Sequence, residues 1–251
     1  MIKRTNLIVL ILCGALLSCP TFAQDQVAVT AIDAKADKIL RQMNDYLNTL
    51  EQFSIHLENS VDILIESGQK IQLGRSVNVS IKRPNRLRAD IDGDILSQQL
   101  FYDGKNIILY GKKVNYYATA KAPENIESAL DYAEQSFGLV APAADLINRN
   151  SYDILTKDIQ SGGYVGLSTV SGIECHHLAF RAEETDWQIW IENGKTPLPR
   201  KFVITSKWIA GAPQFTAVFR NWDVSPKLKD NRFIFVAPAG AEKINFLPTE
   251  N

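Results

Sequence analysis

Few side chains in this sequence are of the types that do chemistry. Three His and three Cys make up the whole supply of soft metal ligands in 251 residues, too few for a multi-ligand zinc domain. His176 and His177 are adjacent. Neighbours on a strand point to opposite faces, so the pair does not readily share one ion; one ring is expected inside and one outside. Asp90, Asp92 and Asp94 open like a calcium loop, but Ile95 stands where that loop needs Gly and Phe101 where it needs Glu. Ser67 and Lys70 match Ser-x-x-Lys on a hairpin turn with no companion motif. Glu183, Glu184 and Asp186 cluster between two strands and read as a solvated turn. The sequence has no Gly-x-Ser-x-Gly elbow, phosphate loop, His-Glu-x-x-His or Cys-x-x-Cys. No catalytic residue, metal or cofactor is assigned, and the reading is of a protein that is not an enzyme.

Composition narrows the partners. Lys and Arg total 27 against 28 acids, so no basic excess is available for nucleic acid. Hydrophobic residues at 45% and charged residues at 22% are those of a globular chain. Lys3 and Arg4 precede an apolar run over residues 7–17, too short to span a bilayer and proportioned like the core of a signal peptide. Two processing sites compete. Thr21-Phe22-Ala23 suits cleavage before Gln24, whereas Leu16-Leu17-Ser18-Cys19 resembles a bacterial lipobox with Cys19 as the acylated residue. Pro20 directly after Cys19 favours the first. The expected organisation is a signal peptide over 1–23 and a single domain over 24–251, placed in the periplasm; the alternative is a lipoprotein anchored to the membrane through Cys19. Cleavage at Ala23 leaves Cys175 as the sole thiol, read as a small buried hydrophobe.

The elements that position these residues follow from periodicity. Ile32, Ala36, Ile39, Leu40, Met43, Tyr46, Leu47 and Leu50 recur at helical spacing, which predicts a helix over 31–53. The period then changes to two. Ile55, Leu57, Val61 and Ile63 alternate with polar residues, as do Ile71, Leu73, Val77, Val79 and Ile81. Turn signals at Ser67-Gly68, Asp92-Gly93 and Asp103-Gly104 separate six strands between residues 54 and 119. Helical spacing returns over 123–149, with Ile126, Leu130, Ala133 and Phe137 on one stripe, a break at Gly138 and a short helix from Pro142 through Leu146. Pro123 suits the first turn. Five more strands follow, at about 163–170, 173–182, 185–192, 199–208 and 214–224. Each strand has one apolar and one polar face, so one side of the sheet should meet water, and so large a sheet curls. The fold class is α+β: a curled antiparallel sheet of about eleven strands forming an unclosed half-barrel, with helices as a lid.

The stretches Val170–Phe180 with Cys175-His176-His177, Asp186–Glu192 with Trp187-Gln188-Ile189-Trp190, and Pro197–Lys201 resemble a predicted periplasmic family, the domain of unknown function numbered 2092. Phe101–Lys105 and Phe235–Ala241 fit it too. That family is similar to the LolA and LolB lipoprotein carriers and to mycobacterial lipid-binding lipoproteins. The resemblance implies an eleven-stranded unclosed barrel whose helical lid covers an apolar cavity for acyl chains, and an Arg that secures the lid, for which Arg149 is the positional candidate. Ile126, Leu130, Phe137 and Leu146 of the lid are then expected to meet Trp187, Ile189 and Ile191 across the cavity. The expected partner is an acyl chain or a lipidated protein, bound in the half-barrel without chemistry. The alternative is a cell-envelope sensor or protein-interaction module on the same fold.

Overall fold

The structure, a computed structural model, describes residues 31–249. The signal peptide, both processing sites and Cys19 lie outside these residues. The chain runs β1 (Ala31–Ile32), α1 (Ala34–Thr49), β2 (Gln52–Leu64), β3 (Lys70–Lys82), β4 (Arg86–Gly93), β5 (Ser97–Tyr102), β6 (Asn106–Gly111) and β7 (Tyr116–Lys121). It continues through α2 (Ile126–Phe137), a 3-10 turn (Ala144–Ile147), α3 (Ser151–Thr156), β8 (Ile159–Val170), β9 (Ile173–Ala182), β10 (Thr185–Glu192), β11 (Pro199–Ser206), β12 (Gln214–Asp223), a second 3-10 turn (Asp230–Phe233) and β13 (Glu242–Ile244).

All strands of the described residues belong to one sheet, ordered β1-β8-β9-β10-β11-β12-β2-β3-β4-β5-β6-β7-β13. Its two ends do not pair, so the barrel is unclosed. The eleven strands β2–β12 are antiparallel to their neighbours, with a long-range joint where β12 meets β2. The β2–β3 hairpin is paired without a slip from Gln52–Lys82 to Leu64–Lys70, as two matched alternating patterns demand. Two short strands add parallel edges: β1 on β8 and β13 on β7. At two and three residues they are too short to carry a period.

Caps move the helix ends away from their expected positions. Asp33 accepts hydrogen bonds from the amides of Lys35 (2.7 Å) and Ala36 (3.1 Å), so α1 starts after it. Asn125 caps α2 by accepting from Ser128 N at 2.8 Å, which leaves Pro123 outside the helix rather than in its first turn. Gly138 ends α2 with φ +64°, a left-handed cap that favours glycine. The six-residue α3 was not expected; so short a helix depends on its contacts. Asn44 Oδ1 accepts from Ser151 Oγ (2.7 Å) and Tyr152 N (3.3 Å), and the Tyr152 hydroxyl meets Asp37 and Arg41 of α1.

The concave face is covered in two unlike ways. α1 packs on β8 and β10, and its Ile39, Leu40 and Met43 are buried in one cluster with Leu178, Phe180, Trp187, Ile189 and Phe202. Phe180 and Trp187 stack with centroids 4.0 Å apart. Each such side chain contributes about 1.5–3 kcal/mol by burial, and this half is solid. The other half, β2–β5, lies under α2 and the segment that follows it.

The convex face is less polar than the alternation predicts. Val170, Cys175, Trp190 and Val203 form a small buried cluster there. His177 stacks on Trp190 at 4.0 Å, and Lys201 Nζ lies 4.6 Å from the same ring. Flat and cationic neighbours thus cover the indole. The C-terminal segment covers a second convex area: Phe235 packs among Phe101, Tyr110 and Tyr117, and Arg232 donates to Ser80 Oγ at 2.8 Å. The segment then rounds the β7 edge to α2, where Phe246 stacks on Phe137 at 4.3 Å and Thr249 N donates to Ser136 O.

Candidate functional site

Beneath α2 the concave face does not fill. A cavity of about 510 Å³ remains, within the range of small-ligand sites. Its floor is the inward side of β2–β5, including Ile55, Leu57, Val77, Val79, Leu87, Ala89 and Leu100. Phe215, Phe219 and Trp222 form one wall. The roof is Leu130 and Ala133 of α2, the irregular run from Gly138 to Ala143, and Leu146 and Ile147. Why the roof leaves space is legible locally: Gly138 stops the helix, and Ala141, Pro142, Ala143 and Ala144 have little side chain with which to fill the concavity. Exposure rises along the floor toward the β2–β3 and β4–β5 turns. Ile55 and Leu57 are buried, Val61 and Leu73 half-buried and Arg75 exposed, so the mouth lies at that end.

The expected cavity residues separate. Leu130 and Leu146 face the cavity. Ile126 is buried in the core at the first turn of α2 and does not line it. Phe137 turns to Phe246 and Tyr132. Trp187, Ile189 and Ile191 lie on β10, which packs against α1, and do not line the cavity. Periodicity identified their face of the sheet, but the helix that covers each strand depends on the β12–β2 joint, which no local pattern reports.

The lid is fastened by a residue that the sequence did not single out. The Arg83 side chain is only 2% exposed. Its Nε donates to Leu50 O at 3.2 Å, one terminal nitrogen to Glu127 Oε1 of α2 at 2.9 Å, and the other to Ile147 O of the 3-10 turn at 2.6 Å. Burial lowers its pKa, the nearby Glu127 charge opposes that shift, and a guanidinium stays charged regardless. One planar fork thus joins the sheet to both parts of the lid. Arg149, the positional candidate, instead reaches Asn48 O (3.3 Å) and Glu51 Oε1 (3.4 Å) at the surface. Tyr102 adds a second tie, donating its hydroxyl to Pro123 O. Burial pushes its pKa up to about 12, so it remains a donor at neutral pH.

The polar clusters resolve into structural pairs. His176 meets the Tyr164 hydroxyl at 3.3 Å and His177 meets Gln188 Oε1 at 3.0 Å on the other face; both rings are half-buried, and burial lowers the pKa of each. Burial also raises the pKa of the Cys175 thiol. Asp90 pairs with Arg88, Asp92 with Lys112, and Asp94 accepts from Gly74 N at 2.6 Å, so the three carboxylates diverge. Lys70 pairs with Asp62, and Asp186 with Lys207. Among the described residues, no group of three or more His, Cys, Asp or Glu is placed to hold a metal, and no helix is long and apolar enough to cross a membrane.

Comparison with known proteins gives a family and a set of distant folds. A family model described as a predicted periplasmic protein, DUF2092, matches residues 36–247. No curated protein matches the chain. Among solved structures, the chain is similar to an uncharacterized conserved protein from Thermus thermophilus at 11% identity, covering 84% of this chain and 99% of that one, with TM-score 0.48. It is similar to the lipoprotein LppX of Mycobacterium tuberculosis at 12% identity, covering 77% and 100%, with TM-score 0.42. A LolA superfamily protein from Nitrosomonas europaea gives 9% identity, 80% and 97% coverage and TM-score 0.39.

Proposed function

We propose that the chain, which belongs to this predicted periplasmic family, is a non-enzymatic protein of the periplasm that binds an acyl chain, free or attached to a protein, in the cavity under α2. One observation carries the reading: the cavity is lined almost throughout by aliphatic and aromatic side chains and lies beneath a roof of short, separately fastened pieces. Such a site recognises length and apolarity. Each buried CH₂ contributes about 0.8 kcal/mol, and the lining holds no acid–base pair. A fluorescent acyl probe should bind the wild type. Leu130→Asp puts a carboxylate into the apolar roof, where desolvation opposes it, and should weaken binding at least about tenfold while the sheet keeps its circular dichroism. A probe that does not bind, or binds both proteins alike, removes the proposal.

The sensor or interaction-module reading draws on a different feature. Trp208 is 69% exposed at the β11–β12 turn, and Gly211 of that turn lies against Leu64, which with Ile65 is exposed at the end of β2. Exposed apolar side chains on two adjoining turns suit contact with a protein partner.

A further inference from the structure

The alternation on the concave face is broken at two facing positions. On β2, Ile55, Leu57 and Val61 point inward, but the inward residue between Leu57 and Val61 is Asn59. On β3, Leu73, Val77 and Val79 point inward, but the residue between Leu73 and Val77 is Arg75. Asn59 and Arg75 are direct cross-strand partners, so their side chains are neighbours on one face. Ser60 of β2 and Gln98 of β5 are the other polar residues of the lining.

Arg75 is the only charged residue among the described residues that line the cavity. Its guanidinium has no ion pair or hydrogen bond among them. Asp94, the acid at the adjoining turn, is engaged by Gly74 N at 2.6 Å. Asn59 Oδ1 is buried and also has no hydrogen-bond partner, so that amide has capacity left, and turning it presents its NH₂. Room for the Arg75 stem is built in. Its cross-strand neighbour on β4 is Gly93, and a Cβ there would come within 2.8 Å of both Arg75 Cγ and Gly74 O. From Arg75 inward to Val79, the floor runs about 13 Å along the strand with no further charge.

We infer that the cavity takes an amphiphile with an anionic head, a carboxylate or a phosphate monoester, held at the mouth by Arg75 with Asn59 and Gln98 while its chain lies on the apolar floor. The sign of the head follows from a cation with no direct ion pair in a lining that contains no acid. This rests on the acyl-binding reading and specifies its ligand class. The test is fluorescence titration with cis-parinaric acid and with its methyl ester, which share a chain and differ in head charge. The acid should bind the wild type about five- to tenfold more tightly than the ester, as a half-solvated charge-assisted contact allows. Arg75→Gln should abolish that preference and Arg75→Lys should keep part of it, with unchanged thermal midpoints. Dodecyl phosphate should displace the acid, and inorganic phosphate should not. Equal binding of acid and ester to the wild type, or an equal loss of both in Arg75→Gln, overturns the head-group inference and leaves the acyl cavity standing. Displacement by inorganic phosphate would mean a bare anion site and overturns it as well. If neither probe binds, the acyl reading itself fails and the inference fails with it.

Discussion

Replacing Arg83 with Met should release the lid before it disturbs the sheet. The guanidinium serves three acceptors on three segments: Leu50 O at the end of α1, Glu127 on α2 and Ile147 O in the roof. Met fills much of the volume and removes every donor. Each carbonyl left without its partner costs about 1 kcal/mol. Breaking a fully buried ion pair costs about 3–5 kcal/mol, but the Glu127 side chain is 22% exposed and water rescues part of that. A total of about 3 kcal/mol is expected. Arg83→Lys keeps the charge but cannot fork to three sites, and should cost about half as much. Urea denaturation gives the global figure and amide hydrogen exchange its location. Exchange over residues 126–147 should accelerate more than exchange in β2 and β3, because two of the three lost contacts belong to the lid. Uniform acceleration across the sheet, or protection of 126–147 as in the wild type, would refute the assignment of Arg83 as the fastener.

Two further outcomes separate the halves of the concave face and test α3. Leu40→Ala removes a fully buried side chain from the solid half and should cost about 2–5 kcal/mol in urea denaturation, yet acyl-probe affinity at a temperature where the variant is folded should change by less than about twofold. Acid should undock α3: the Asp37 carboxyl is held below the ordinary aspartate range first by the Tyr152 hydroxyl and then by Arg41. Its contribution is complete above about pH 4 and is lost as pH falls through the lowered value. The protection of residues 151–156 against hydrogen exchange, relative to the intrinsic rate at each pH, should therefore fall toward about pH 3, and Asp37→Asn should already show that loss at neutral pH.

The strands were legible because period two is a strong signal in long pairs. Matched alternation over 54–65 and 71–82 is enough to specify the β2–β3 hairpin, and the turns at Gly68, Gly93 and Gly104 follow from composition. Edges β1 and β13 were not legible, since so few residues carry no pattern and their pairing is set by the ends of other elements. Helix ends shifted because one capping side chain, Asp33 or Asn125, outweighs the apolar stripe beside it. The inward face was also legible, down to Leu130 and Leu146, but not the half of the sheet on which the cavity lies. That depends on β12 meeting β2 across most of the chain. Arg83 carried no local signal, because its acceptors at Glu127 and Ile147 come from a distant segment. Arg75 and Asn59 did carry one: each interrupts an otherwise apolar alternation, at positions that the hairpin register places face to face.

The central claim is that an acyl chain lies between α2 and the β2–β5 floor. Methyl NMR on the Leu, Val and Ile side chains, recorded while dodecanoate is added, tests it most directly, because the two halves of the concave face carry distinct probes. Shifts should gather at Leu57, Val77, Leu87, Leu130 and Leu146, which line the cavity, and leave Leu40 of α1 and the buried Leu178 and Ile189 unmoved. Shifts centred on Leu40, Leu178 and Ile189, or none at either set with excess ligand, would contradict it.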